Sequence, residues 1–387
     1  MRVMFAASAG ADQVLPLVST AVALRAAGHE VLVAAAGHGR DGGPAVLAAC
    51  GLPAVDLAPE ADLGAVVRRL RSDPLLRHVT TSARIPADLD PLCRVRAELA
   101  EVMAPAAVRV AERFAPDLVV CTAAQGAGPL AAAVVGVPWV EHGVNLTDSV
   151  NTSRLVVSAM NASPQHYGVR ALAPPSAVLS VVPPSMGGIG GWPMRPVPND
   201  GGGLLPEWLL EPPSRPRIAV AVGTALPALS GLGEVGRLLV AAERLDVELV
   251  LVMPGDEANM MGGLPGNVRV GGATPLSLLL RASSAVVHHG GAASALAALD
   301  AGLPQLVLPR GADHFVSAEV LRRRGVALVA EPANVDADLL ERLIADRALA
   351  VNATAVCGEL RALPTPSEIA TRLVSLAGSP KLSEAAS

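Results

Sequence analysis

The chain has 387 residues, 51% hydrophobic and 17% charged, with a net charge of -5 and only three Trp, one Tyr and three Phe. That length exceeds the roughly 200 residues a single core usually supports, so two domains are expected, with interiors built from Ala, Val and Leu. The mild acidity, with Arg322-Arg323-Arg324 as the longest basic run, excludes a phosphate-backbone binder of nucleic acid.

The apolar start reaches a polar loop by residue 12, too soon for a signal peptide, and no apolar run attains the ~18 residues of a membrane helix. Cys50, Cys93, Cys121 and Cys357 lack metal-ligand spacing and read as reduced thiols of a cytoplasmic protein.

The alternation of elements predicts strand 2–6, helix 14–27, strand 31–35, helix 45–50, a long helix 94–114, strand 117–121, helix 129–135 and strand 137–140. Short β-branched runs separated by Ala/Leu helices mean βα units and a parallel sheet. Paired prolines and glycines then punctuate residues 174–216, which read as the connection between domains. Alternation resumes with strand 218–222, helix 234–245, strands 247–253 and 268–270, helix 275–281 and strand 284–287. Strands 305–308 and 327–329 follow, and helices 337–344, 348–363 and 367–377 close the chain. The fold class is α/β, two Rossmann-like parallel-sheet domains, divided as 1–200, a linker 201–216, 217–365, and a last helix in 366–387.

Two glycine motifs invite a dinucleotide reading. Gly37-His38-Gly39-Arg40-Asp41-Gly42 follows the second strand rather than the first, and the glycines around Met186 to Gly191 have no strand leading into them, so both read as loops. Val287-His288-His289-Gly290-Gly291-Ala292-Ala293-Ser294 is different, because a strand ends in a tight turn that opens a helix. Glycines let a ligand approach the backbone, and the free N–H groups and dipole of a helix start favour an anion. Gly223-Thr224 ends another strand, and Asp313-His314 follows strand 305–308, so all three loops fall on the carboxyl edge of one sheet.

These segments, with Gly302-Leu303-Pro304-Gln305 and the order of shorter matches along most of the chain, resemble family 1 glycosyltransferases of the GT-B fold. The likeness is to actinobacterial enzymes that glycosylate enediyne, aromatic polyketide and other antibiotic aglycones. The resemblance implies that His289, Gly290, Gly291, Ala292 and Ser294 hold a donor diphosphate, with Gly223 and Thr224 opposite. It places Thr274 and Pro275 by the nucleotide base, and Asp313 and His314 by the sugar. It further implies a final helix crossing back onto the first domain. Relatives usually carry Gly and Thr at the Ala293 and Ser294 positions, Gln at that of His314, and an aromatic residue at that of Ala273.

The most consequential departure is at Asp12-Gln13, where relatives carry a Gly-His pair whose His removes the acceptor proton. Gln13 cannot take a proton. Asp12 is the base, or His142 or Glu141 after strand 137–140 does the work, or the acceptor is acidic enough to need little help, since a general base contributes only about 10²- to 10⁴-fold. The ordinary alternative for Asp12 is the N-cap of a helix beginning near Val14.

The expected function is inverting transfer of a deoxysugar from a dTDP-sugar to a hydrophobic natural-product acceptor, without metal or other cofactor. No nucleic acid or membrane partner is expected, and a homodimer is among the assemblies the resemblance allows. Competing expectations are an impaired auxiliary protein, favoured by Gln13, and another nucleotide-sugar enzyme on the same fold, such as an epimerase or a lipid-linked transferase.

Overall fold

The protein was analysed as a computed structural model. The structure describes residues 1–37, 42–72, 90–146, 152–188, 190–200, 203–221, 233–253, 263–272 and 274–378. In the first part, strands β1 (Arg2–Ala6), β2 (Glu30–Ala35), β3 (Ala54–Asp56), β4 (Leu118–Thr122), β5 (Trp139–His142), β6 (Ala177–Ser180) and β7 (Trp192–Pro193) form a seven-stranded sheet in the order β3-β2-β1-β4-β5-β6-β7. The second part holds β8 (Arg217–Ala221), β9 (Glu248–Leu251), β10 (Val268–Val270), β11 (Ala285–His288), β12 (Gln305–Val307) and β13 (Ala327–Val329) in the order β10-β9-β8-β11-β12-β13. Every described pairing is parallel.

Parallel strands are covered on both faces, which is why the middles of β4, β8 and β11 read as apolar runs and the strands are buried throughout. In the first sheet, Val3 and Phe5 face helix Ala11–Ala26, whereas Met4 and Ala6 face helix Asp90–Phe114. The last helix, Pro366–Ala377, packs on helix Ala11–Ala26 and sends Ile369, Ala370 and Leu373 into the same core as Val14 and Leu17. A capping box between Thr365 and Glu368 fixes its start.

Strand order reverses between β1 and β4 and again between β8 and β11. Crevices at the carboxyl ends of such switch points are where open α/β sheets bind ligands. The helix whose first turn carries Asp12 follows β1, and His289, Gly290 and Gly291 follow β11.

Residues 174–216 are not all connection. Strands β6 and β7 lie inside that stretch, each too short and too closely framed by Pro and Gly to stand out. The glycines serve close packing there: a β-carbon on Gly191 would fall 2.2 Å from the carbonyl oxygen of Val178. Strand β3 and helices Leu63–Ser72 and Thr152–Ala159 are further elements beyond the sequence expectation. Residues 38–41 of the first glycine motif lie outside the described residues.

Beyond β7, Arg195 donates its backbone N–H to Pro364 at 2.8 Å and pairs with Asp300 at 3.7 Å, where Arg281 also binds at 3.0 Å. Trp208 then anchors the connection on the second domain, beneath the guanidiniums of Arg217 and Arg269 at 4.9 and 4.7 Å.

Candidate active site

His288 ends β11 with 1% exposure. Its Nε2 lies 2.8 Å from Gln305 Oε1 on β12, and its Nδ1 accepts the N–H of Gly290 at 3.0 Å. These two bonds assign the proton to Nε2 and pin the turn. Burial pushes its pKa down to about 3, so this imidazole is a structural bracket. Gly290 turns the chain with φ 97°, a conformation that excludes most side chains.

Gly291 caps helix Ala292–Ala301 without any side-chain bond, so the first N–H groups at Ala292, Ala293 and Ser294 remain available. His289 stands over that opening. Its Nδ1–H donates to the Ala221 carbonyl at 3.4 Å, and a β-carbon on Gly291 would meet its Nε2 at 2.5 Å. Burial, with the neighbouring His314, lowers its pKa to about 4. The His314 ring lies edge-on to His289, with 4.7 Å between centroids.

Asp313 is exposed in the first turn of helix Ala312–Arg324, at the carboxyl end of β12. Thr274 and Pro275 follow β10 and are buried. The Thr274 hydroxyl donates to the Gly271 carbonyl, so it shapes the turn and is not aimed at a ligand. Gly223 and Thr224 lie outside the described residues.

On the facing edge, helix Ala11–Ala26 begins earlier than expected, and its N-cap is Gly10 with φ 111°. Asp12 is therefore in the first turn and not the cap. It is exposed and accepts a 2.9 Å hydrogen bond from Gln13 Nε2. Pro16 removes the N–H that would otherwise meet the Asp12 carbonyl.

His142 does not join this edge as a base. It has 0% exposure, its Nδ1–H donates to the Gly143 carbonyl at 2.9 Å, and its Nε2 accepts from the Thr20 hydroxyl at 3.0 Å. Burial lowers its pKa to about 4. An enclosed imidazole with both nitrogens occupied cannot reach an acceptor. Glu141 is enclosed as well, at 1% exposure, and accepts the Ser153 hydroxyl at 2.6 Å; burial raises its pKa.

Sequence reasoning missed Arg96, which carries no motif. It is exposed on helix Asp90–Phe114, yet crowding by surrounding protein lowers its pKa, while the charges of Asp313, Cys93 and Asp12 oppose the shift. One guanidinium thus senses Asp12 on the first domain and Asp313 on the second. Gln305 was also missed as a site residue, though a glutamine within a buried strand is itself a signal. Among the described residues, no three His, Cys, Asp or Glu side chains gather as a metal site.

Two parallel-sheet domains, each with a central reversal of strand order, and an uncapped helix start after β11 give the architecture of glycosyltransferases of the GT-B fold. The family described as "Erythromycin biosynthesis protein CIII-like" matches with its N-terminal domain over residues 22–223 and its C-terminal domain over residues 236–376. The elloramycin glycosyltransferase ElmGT of Streptomyces olivaceus is 36% identical over 387 residues, 98% of each chain. SnogD, a glycosyltransferase from Streptomyces nogalater, superposes with a TM-score of 0.84 at 35% identity, covering 98% of this chain and 99% of its own. SsfS6, a glycosyltransferase of Streptomyces sp. SF2575 solved with thymidine diphosphate, gives 0.81 at 30% identity over 97% and 99%. The chain belongs to this family of natural-product glycosyltransferases.

Proposed function

We propose that the enzyme transfers a deoxysugar, with inversion and without a metal ion, from a dTDP-sugar to the hydroxyl of a hydrophobic natural-product aglycone. The observation that carries this reading is the uncapped helix start at Gly291, with His289 above it and Asp313 beside it. A helix N-terminus supplies fixed positive charge to a departing diphosphate. The thymidine diphosphate of the SsfS6 complex supports the nucleotide, and the elloramycin activity named for ElmGT supports an antibiotic-type acceptor.

In this mechanism the acceptor oxygen attacks the anomeric carbon from the Asp12 side as the bond to the β-phosphate oxygen breaks on the opposite face. The Asp12 carboxylate takes the acceptor proton, and Gln13 holds that carboxylate in place. N–H groups of the Ala292 turn receive the charge that develops on the leaving phosphate. Asp313 accepts a hydrogen bond from a sugar hydroxyl, and Arg96 sets the field between the two carboxylates. Gln13 favours a second reading, an auxiliary protein that binds donor without turnover.

The test is mass-spectrometric assay of purified protein with a panel of dTDP-deoxysugars and phenolic polycycles, in EDTA. A product one sugar heavier, with inverted anomeric configuration, is expected. Binding of dTDP without product from any pair favours the auxiliary protein.

A further inference from the structure

Two helix N-termini meet at one point. Helices Ala292–Ala301 and Ala312–Arg324 open at the carboxyl ends of the neighbouring strands β11 and β12, and neither has a side-chain cap. A β-carbon on Gly290 would lie 2.9 Å from the carbonyl oxygen of His314 and 3.1 Å from its Cβ, so the second helix sits directly on the turn that opens the first. The contact holds the two imidazoles 4.7 Å apart at 71°. Nδ1 of His314 is buried and, among the described residues, has no hydrogen-bond partner.

His289 already commits its Nδ1–H to the Ala221 carbonyl. A neutral His289 therefore presents a lone pair at Nε2, on the side of Gly291. A lone pair repels a phosphate oxygen, whereas an N–H donates to it, so as long as the Ala221 bond is kept, contact with a diphosphate calls for an added proton.

Building on the assignment of this site to the donor diphosphate, we propose that His314 binds that diphosphate and not a sugar hydroxyl, and that the His289–His314 pair takes up a proton when the diphosphate arrives. The surroundings support this. Burial holds both rings neutral without ligand, His289 at about 4 and His314 below its ordinary value. Asp313 favours protonation of either ring, Arg310 opposes it at His314, and each ring's charge opposes protonation of the other or of His288. Arg96, from helix Asp90–Phe114, faces Asp313. A diphosphate would outweigh these opposing charges.

The experiment is titration calorimetry of the full chain with dTDP at pH 6.5, 7.5 and 8.5, in buffers of different ionisation enthalpy, for wild type, His314→Gln and His314→Asn. Comparing proteins with one ligand cancels the ionisation of dTDP itself. Wild type is expected to take up a larger fraction of a proton than either variant, in which His289 alone remains to accept it, and to lose affinity more steeply with pH. At pH 6.5 the variants bind about tenfold more weakly, and at pH 8.5 they match wild type. Equal proton uptake in all three proteins overturns the proposal alone. Absence of dTDP binding by wild type overturns the donor reading with it. Unliganded melting temperatures are expected to be unchanged, and a fall in both variants would assign the loss to structure and overturn the role given to His314.

Discussion

His288 donates from Nε2 to Oε1 of Gln305 across 2.8 Å, tying the end of β11 to the start of β12. The same ring accepts the Gly290 N–H, so one side-chain pair sets the angle at which helix Ala292–Ala301 opens. The polar residues that shape this turn, His288 and Gln305, are buried beneath it.

Gln305→Ala removes that acceptor and strands a buried N–H on His288. The expected result is a loss of about 1–3 kcal/mol in stability, read by urea denaturation, together with weaker dTDP binding. Unchanged stability would show that the bracket is dispensable.

Asp12→Asn keeps the shape of the first helical turn and removes the proposed proton acceptor. kcat is expected to fall by about 10²- to 10³-fold, with KM for the donor little changed. His142→Ala is expected to lower stability while leaving kcat per folded molecule near wild type, because His142 is enclosed beside Thr20. Full activity in Asp12→Asn would place the base elsewhere or make the acceptor self-sufficient.

Acid sensitivity follows from three imidazoles held neutral, His142 and His289 at about 4 and His288 at about 3, against an ordinary value of 6.5. The unfolded chain binds protons that the fold excludes, so stability is full above about pH 6.5 and is lost as pH falls toward 4. At pH 5 each fully buried imidazole, His142 and His288, costs on the order of 1–2 kcal/mol. Urea midpoints at pH 7.5 and 5.0 check this, and equal midpoints would contradict it.

Glu141 has the opposite sign. Its pKa is raised by burial, so its contribution is present at low pH and is lost as pH rises through that raised value. Glu141→Gln keeps an acceptor for Ser153 and removes the ionisation. Its stability relative to wild type is expected to increase with pH in the same denaturation assay.

Much of the fold was legible because parallel strands buried on both faces leave continuous apolar runs, and Ala-rich helices closed by Gly28, Gly51 and Gly302 mark the units between them. Strands β6 and β7 escaped because they lie among the paired prolines and glycines of residues 174–216, which read as a connection. The turn after β11 was readable because Gly290 and Gly291 answer a local backbone demand. Arg96, Thr20 and Ser153 were not, since they matter through partners distant in sequence. His142 looked catalytic for its place at a strand end, and depth alone decided otherwise.

Calorimetric titration of dTDP into wild type and Gly291→Ala tests the central claim most directly. Gly291 has φ -61°, which alanine adopts freely, so the added methyl acts chiefly on the His289 Nε2 that it would meet at 2.5 Å. Wild type is expected to bind with a Kd of roughly micromolar order and the variant at least about tenfold more weakly, with folding intact. Equal binding by both proteins, or no binding by wild type, would contradict the assignment of the His289–Gly291 turn to the donor diphosphate.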